Sequence, residues 1–517
     1  MSLRWRLVSC VLILVLLPLS APAIAQDSSV IMIGTTDLPT SLDVGQAYDF
    51  AAWEVLQHLY VGLMRQTPGT LDYETALAAG YTVSEDQITY TFTLRADAAF
   101  SDGTPITAQT FVDSINRVIA LEEDAASAVT PYVERVSVND EDQLVFQLKR
   151  PLPYFLGLLA LPPYFPQHPT LVASPTPQQF AENGVIGNGP YLLERYDVGG
   201  EIVLQANPAY EPQPATPTII LKQYMGSQEL RAALEKHDVD IAWRALFLDD
   251  LLEVTGEEGL NVTSIPSTRV FYLYMNHDLE PADDPLVREA LTLLLNRQRV
   301  VDNTLHGYAA PLTSMVPDLF SEAYHPIWPE GSALDEANEI LRSAAYRTGS
   351  AAVRLNFAIE TSLYLYGDLY VAAAGELRRG SFEPSDYTAC GVSWNSNTTT
   401  FTSSLEAGER QIAMFAWTPL VPHPAAYLYP LAHSSQPIPA NGKYASAEID
   451  QLLDAAMIES DPAVAGPLYQ QAAALLLEKF DIAPLWQETM QIVAWDGIGG
   501  IQLEPNYFLH YDLLTKQ

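Results

Sequence analysis

The chain has 517 residues, of which 63 are acidic and 26 basic, giving a formal net charge of −37. That balance excludes a phosphate-backbone binder, which needs clustered Lys and Arg, and disfavours docking on anionic lipid. The length allows two or three domains at about 150 residues each.

Residues 1–25 read as a secretory leader: Arg4 and Arg6 precede an apolar run at 7–17, and prolines at 18 and 22 break it before Ala23-Ile24-Ala25. Cys10 stands early within the apolar run rather than after it, the wrong place for lipidation. The mature protein is expected to be exported, periplasmic or attached to the cell surface, with Cys390 its one cysteine and no disulfide. Short β-rich runs then alternate with helical patterns to the C-terminus, which favours an α/β fold. Strand patterns fall at 30–35, 88–94 and 144–148, the last after the acidic turn 139–142. Between 94 and 117 the sequence is LRADAAFSDGTPITAQTFVDSINR. Asp102-Gly103 is a turn signal, Thr107 can cap a helix, and Phe111, Ile115 and Val118 form its apolar face. Residues 151–177 are proline-rich and irregular, while helices are predicted at 227–236, 285–306, 334–345, 447–459 and 462–479.

The stretch 94–117 closely resembles the signature of the extracellular solute-binding proteins of ABC importers, in the large peptide- and nickel-binding family. Four further segments resemble that family in the same order. They are Pro39-Thr40-Ser41-Leu42-Asp43, the Gly187-Asn188-Gly189-Pro190-Tyr191 hairpin ending at Asn207-Pro208, residues 270–317, and the helical pair at 447–486. The resemblance implies a two-lobed, type II periplasmic-binding-protein fold that closes on its ligand. Lobe I would hold 26–270 and 490–517 with an extra subdomain at about 50–180, and lobe II 271–489. The chain would cross near 269–276 and 487–495. It also implies capture of a peptide or other polar organic solute for ABC permease subunits, by a monomer. The alternative is a sensing protein of the same fold that presents its ligand to a receptor.

Motifs for catalysis were sought and none is present: no Gly-x-Ser-x-Gly elbow, His-Glu-x-x-His pair, Walker loop or dinucleotide fingerprint. With 63 carboxylates, acidic pairs are expected at any spacing, and the nine histidines show no ligand spacing for a metal. An enzyme, a cofactor and a metal are therefore not expected. Eight tryptophans and 27 tyrosines offer faces for stacking on a solute. Where the resemblance puts the cleft, the candidate ligand-binding residues are Thr36, Asp37, Leu38, Asp113, Asn276, Trp394, Trp417, Leu420 and Trp486. One departure stands out. Peptide-binding members carry Trp-x-x-Asp-Tyr-x-Asp-Pro, whose first Asp holds the ligand's α-ammonium group. Here Trp417-Thr418-Pro419-Leu420-Val421-Pro422-His423-Pro424 places Leu420 at that carboxylate. A buried ammonium without a partner costs several kcal/mol. A ligand without a free N-terminus is expected, such as a blocked peptide or a glycan fragment, unless Asp37 or Asp113 supplies the missing charge.

Overall fold

The computed structural model describes residues 29–178, 184–244, 246–343, 403–444 and 446–517, with the backbone of three short strands at Val353–Leu355, Phe357–Ile359 and Phe382–Pro384. The leader at 1–25 and Cys390 lie outside the described residues.

Two lobes share one ten-stranded sheet. In the first lobe Val30–Thr35 pairs in parallel with Thr218–Gln223 and with Ile241–Trp243. The hairpin Tyr191–Tyr196 and Glu201–Ala206 extends that side. In the second lobe Ile412–Trp417 pairs in parallel with Phe357–Ile359. Two long antiparallel strands, Leu260–Met275 and Ile482–Trp495, join the halves. Their ladder runs from Leu260↔Trp495 to Pro266↔Thr489, lapses, and resumes from Val270↔Gln487 to Tyr274↔Ile482. Pro266 has no N–H to give, so the ladder loses a donor where it breaks. The freed backbone groups find other partners. The Gln487 amide donates to Ser267 O at 2.7 Å, the Tyr427 hydroxyl donates to Thr268 O at 2.7 Å, and Thr268 N donates to Pro505 O at 2.8 Å. The break is thus a built feature, in which the Ser267 carbonyl and both backbone groups of Thr268 are satisfied, while the buried Thr268 hydroxyl has no partner among the described residues.

A separate antiparallel sheet, in the order Ala78–Val83, Thr89–Leu94, Leu144–Leu148, Val133–Val138, packs under the helix Ala108–Leu121. Gly103 turns at φ 87°, and Thr107 caps the helix in a reciprocal box with Thr110. Phe111, Ile115 and Val118 are fully buried, as their spacing requires. The predicted helix at 285–306 is in fact two, Pro285–Leu294 and Arg297–Asn303, because the Asn296 side chain accepts from Arg299 N and restarts the helix. Residues 151–177 include three short helical turns within their irregular path.

Two motifs have structural reasons. A Cβ on Gly187 would lie 1.9 Å from Leu59 O, and one on Gly189 2.5 Å from His58 O. Only glycine lets that turn seat on the end of helix Phe50–Leu59, where Asn188 N and Gly189 N donate to Leu59 O. Asp43 and Arg117, which end two of the sequence motifs, meet in a buried bidentate pair at 2.7 Å for each bond. Gly45 N and Gln178 N also donate to that carboxylate, and Gln167 accepts from the guanidinium.

Removing one partner leaves the other charge buried and uncompensated. Arg117→Met is expected to lower the unfolding free energy by about 3–5 kcal/mol. The double variant Asp43→Asn, Arg117→Met should lose clearly less than the two single losses added together. Urea unfolding of all four proteins measures this; additive losses would contradict a coupled pair.

Candidate functional site

The loop that follows Val30–Thr35 is fixed by its own hydroxyls and by residue 244. Thr35 Oγ1 donates to Asp37 O at 3.1 Å, and Thr36 donates to Arg244 O through both N and Oγ1. Leu38 is buried, and the Tyr196 hydroxyl donates to Pro39 O at 2.6 Å. Asp37 is left exposed, and among the described residues nothing donates to its carboxylate. Arg244 ends its strand in the left-handed region at φ 61° and folds beneath this loop. Its Nη2 donates to Phe50 O and to Glu54 Oε2, both at 3.2 Å, and to Tyr507 O at 2.5 Å. Glu54 is a buried hub that also accepts from Trp243 Nε1, Leu509 N and the Tyr511 hydroxyl. Burial works against the Arg244 charge, but Glu54 and Asp37 outweigh it and keep the guanidinium firmly protonated.

From Arg244 the contacts run across the strand break. The Tyr507 hydroxyl donates to Glu488 Oε2 at 2.5 Å, and the Arg269 guanidinium lies 5.1 Å from the Tyr507 ring centre. Arg269 Nη1 is 3.7 Å from Glu488, and its Nε donates to Thr418 Oγ1 at 3.0 Å. Trp417 is half-buried and oriented by a bond from its Nε1 to Ala426 O at 2.9 Å. Trp486 is 1% exposed and tilts against Phe271 at 5.5 Å. Its Nε1 has no hydrogen-bond partner among the described residues. It borders a cavity of about 40 Å³ with Leu246, Leu248, Leu251, Leu305 and Glu488, drawn from both sides of the break.

Of the residues expected at the cleft, Thr36, Asp37, Leu38, Trp417 and Trp486 therefore fall along this chain of contacts. Asp113 does not: it lies on the solvent face of helix Ala108–Leu121, where it accepts from Gln109, because the opposite face is the buried one. Asn276 is buried and structural, donating to Gly408 O and accepting from Asp278 N at the end of its strand. Leu420 is half-buried and packs on the main apolar core. Trp394 lies outside the described residues. Sequence reading missed Arg244, Arg269, Glu488 and Tyr507. A left-handed Arg244 or Tyr507 leaves no mark in local spacing, since neither is Gly or Asn.

Burial raises the Asp37 carboxyl, against the opposing pull of Arg244. It also pushes Asp49, the cap of helix Phe50–Leu59, up to about 6, with the neighbouring Asp37 charge adding to the rise. Asp37 is reached by solvent yet has protein crowded around it. His423 is pushed down to about 4 by burial and is neutral.

A model of the bacterial extracellular solute-binding proteins, family 5 middle, matches residues 72–437. The probable D,D-dipeptide-binding periplasmic protein DdpA of Escherichia coli is 26% identical over 502 residues, covering 94% of each chain. The glutathione-binding protein GsiB of Salmonella typhimurium is 25% identical over 509 residues, covering 95% of each. In fold, the chain is similar to HbpA2 from Haemophilus parasuis, with a TM-score of 0.80 at 17% identity, covering 94% of this chain and 100% of the other. It is also similar to the Escherichia coli murein tripeptide binding protein MppA, with a TM-score of 0.71 at 21% identity and coverage of 94% and 98%.

The raised carboxyl at Asp49 has a definite sign. Its charged form is disfavoured in the folded state, so folding loses stability as pH rises from about 3.8 to about 6. Asp49→Asn keeps a good helix cap and removes that cost. The variant should be more stable than the wild type at pH 7, by on the order of 1 kcal/mol after allowing for solvent screening, and no more stable at pH 3.5. Equal stability at pH 7 in urea unfolding would contradict the crowding around Asp49.

Proposed function

Because the chain belongs to family 5 of the bacterial extracellular solute-binding proteins, we propose that it captures an extended peptide-like or other polar organic solute between its lobes and delivers it to the permease of an ABC importer. The observation that carries this reading is the convergence of polar side chains from both sides of the strand break, with Asp37 and Arg244 on one side and Arg269, Glu488 and Trp417 around the other. Such a site holds a solute and does no chemistry on it. Residues 267–269, opposite Gln487 and Glu488, act as the hinge, since there the two crossing strands are not laddered to each other. That hinge lies within a residue or two of a division into lobe I at 26–270 and 490–517 and lobe II at 271–489. A solute that touches both lobes binds the closed arrangement best, and its differential affinity drives closure. No helix among the described residues is long and apolar enough to cross a membrane, in keeping with an exported protein that meets its permease at the membrane surface.

The relatives named for a D,D-dipeptide and for glutathione support a peptide-like solute. Leu420 argues against a free α-ammonium held from lobe II, since its side chain offers no charge and packs on the core. Mass spectrometry of small molecules released on denaturing the purified protein should identify one solute near 1:1 stoichiometry. Calorimetry with that compound should give a single site, weakened at least tenfold by Arg269→Ala. Micromolar binding of ordinary dipeptides that vanishes on N-acetylation would contradict the ligand class. Absence of any bound or rebinding solute would contradict the function.

A further inference from the structure

A cavity of about 660 Å³ forms a groove between the four-stranded sheet and the helix Pro462–Lys479 with the segment before it, Glu459 and Ser460. Its size lies within the range of about 300–1,000 Å³ usual for small-molecule sites. Tyr81 and Tyr90 line it from the sheet, Tyr469 and His423 from the second lobe. Tyr81 and Val83 are 39% and 41% exposed there, an apolar surface that water covers poorly. Three carboxylates, Asp72, Glu322 and Glu459, stand along it, and no Lys or Arg among the described residues lines it. His423 adds no positive charge, since burial holds its ring neutral.

The groove lies near the hinge, since the chain runs from Thr418, which is bonded to Arg269, to Pro422 and His423 at the groove within a few residues. Both walls are fixed where they meet. The His423 ring sits 5.6 Å from that of Tyr154, and Gln87 Nε2 donates to Ile458 O at 2.7 Å. Gly157 has no room for a side chain, since a Cβ would meet Val421 at 2.4 Å.

We propose that this groove is a second subsite, which receives the far end of an extended solute and selects an apolar or aromatic end bearing a positive charge or none. It rests on the solute-binding reading above. Aromatic faces supply stacking, and carboxylates facing a concave, low-dielectric wall favour a cation and repel an anion. The solute would thus be read at two places, at the hinge and at the outer groove, which gives length as well as charge selectivity.

Calorimetry with blocked peptides tests this. The probes are an acetylated dipeptide amide and two acetylated pentapeptide amides that extend it, one ending in Phe-Lys and one in Phe-Glu. The Phe-Lys pentapeptide should bind at least tenfold tighter than the dipeptide, and the Phe-Glu pentapeptide should lose that gain. In the double variant Tyr81→Ala, Tyr469→Ala the pentapeptide-to-dipeptide ratio should fall below threefold. In Asp72→Lys, Glu459→Lys the preference should turn to Phe-Glu. Pentapeptides no tighter than the dipeptide, or a charge-swapped variant that still prefers Phe-Lys, would overturn the subsite while leaving the solute-binding reading intact. Failure of all three peptides to bind would remove the peptide-like reading and the subsite with it.

Discussion

The structure depends on one constraint: two strands, Leu260–Met275 and Ile482–Trp495, must belong to both lobes at once. A continuous ladder between them would weld the halves into a rigid slab, because successive backbone bonds and cross-strand side chains lock register. Pro266 withholds a donor, and the ladder is lost for residues 267–269. Burial of Ser267 and Thr268 without partners would be costly, so Gln487, Tyr427 and Pro505 satisfy their backbone groups. On the proposed reading, the break is where the two lobes bend. Arg269, Glu488 and Trp486 stand at or beside it, so what the cleft holds is felt where the lobes turn.

Around that hinge the first lobe is held rigid by buried charge. The Asp43–Arg117 pair ties the loop that carries Asp37 to the helix over the four-stranded sheet, so that loop and the sheet side of the outer groove are parts of one body. Glu54 does the same between Arg244 and the C-terminal segment, through Leu509 and Tyr511. Ion pairs of this kind add less to net stability than to uniqueness of arrangement, and the benefit here is a wall that keeps its shape when the other lobe moves.

Much of the scaffold was legible because its causes are local. Asp102-Gly103, Thr107 and the 111–115–118 face specify a turn, a cap and an amphipathic helix through nearest-neighbour physics. The Gly187-Asn188-Gly189 turn was visible as a motif, but its reason, contact with Leu59 O some 130 residues earlier in the chain, was not. The break between Pro285–Leu294 and Arg297–Asn303 escaped because the apolar period continues through it. The site was less legible still. Thr36, Asp37 and Trp417 followed from where the family resemblance puts the cleft, whereas Arg244, Arg269, Glu488 and Tyr507 are united only by tertiary contacts. Asp113 shows the converse: a residue inside a recognisable motif can face solvent when the motif's task is structural.

The proposed closure about residues 267–269 is the step on which solute capture would depend, and small-angle X-ray scattering reads it directly. The protein stripped of bound solute should have a larger radius of gyration than the same protein after the released solute is restored at saturation, with the longest intramolecular distances shortened on binding. Identical scattering with and without saturating solute would contradict a hinge at the strand break.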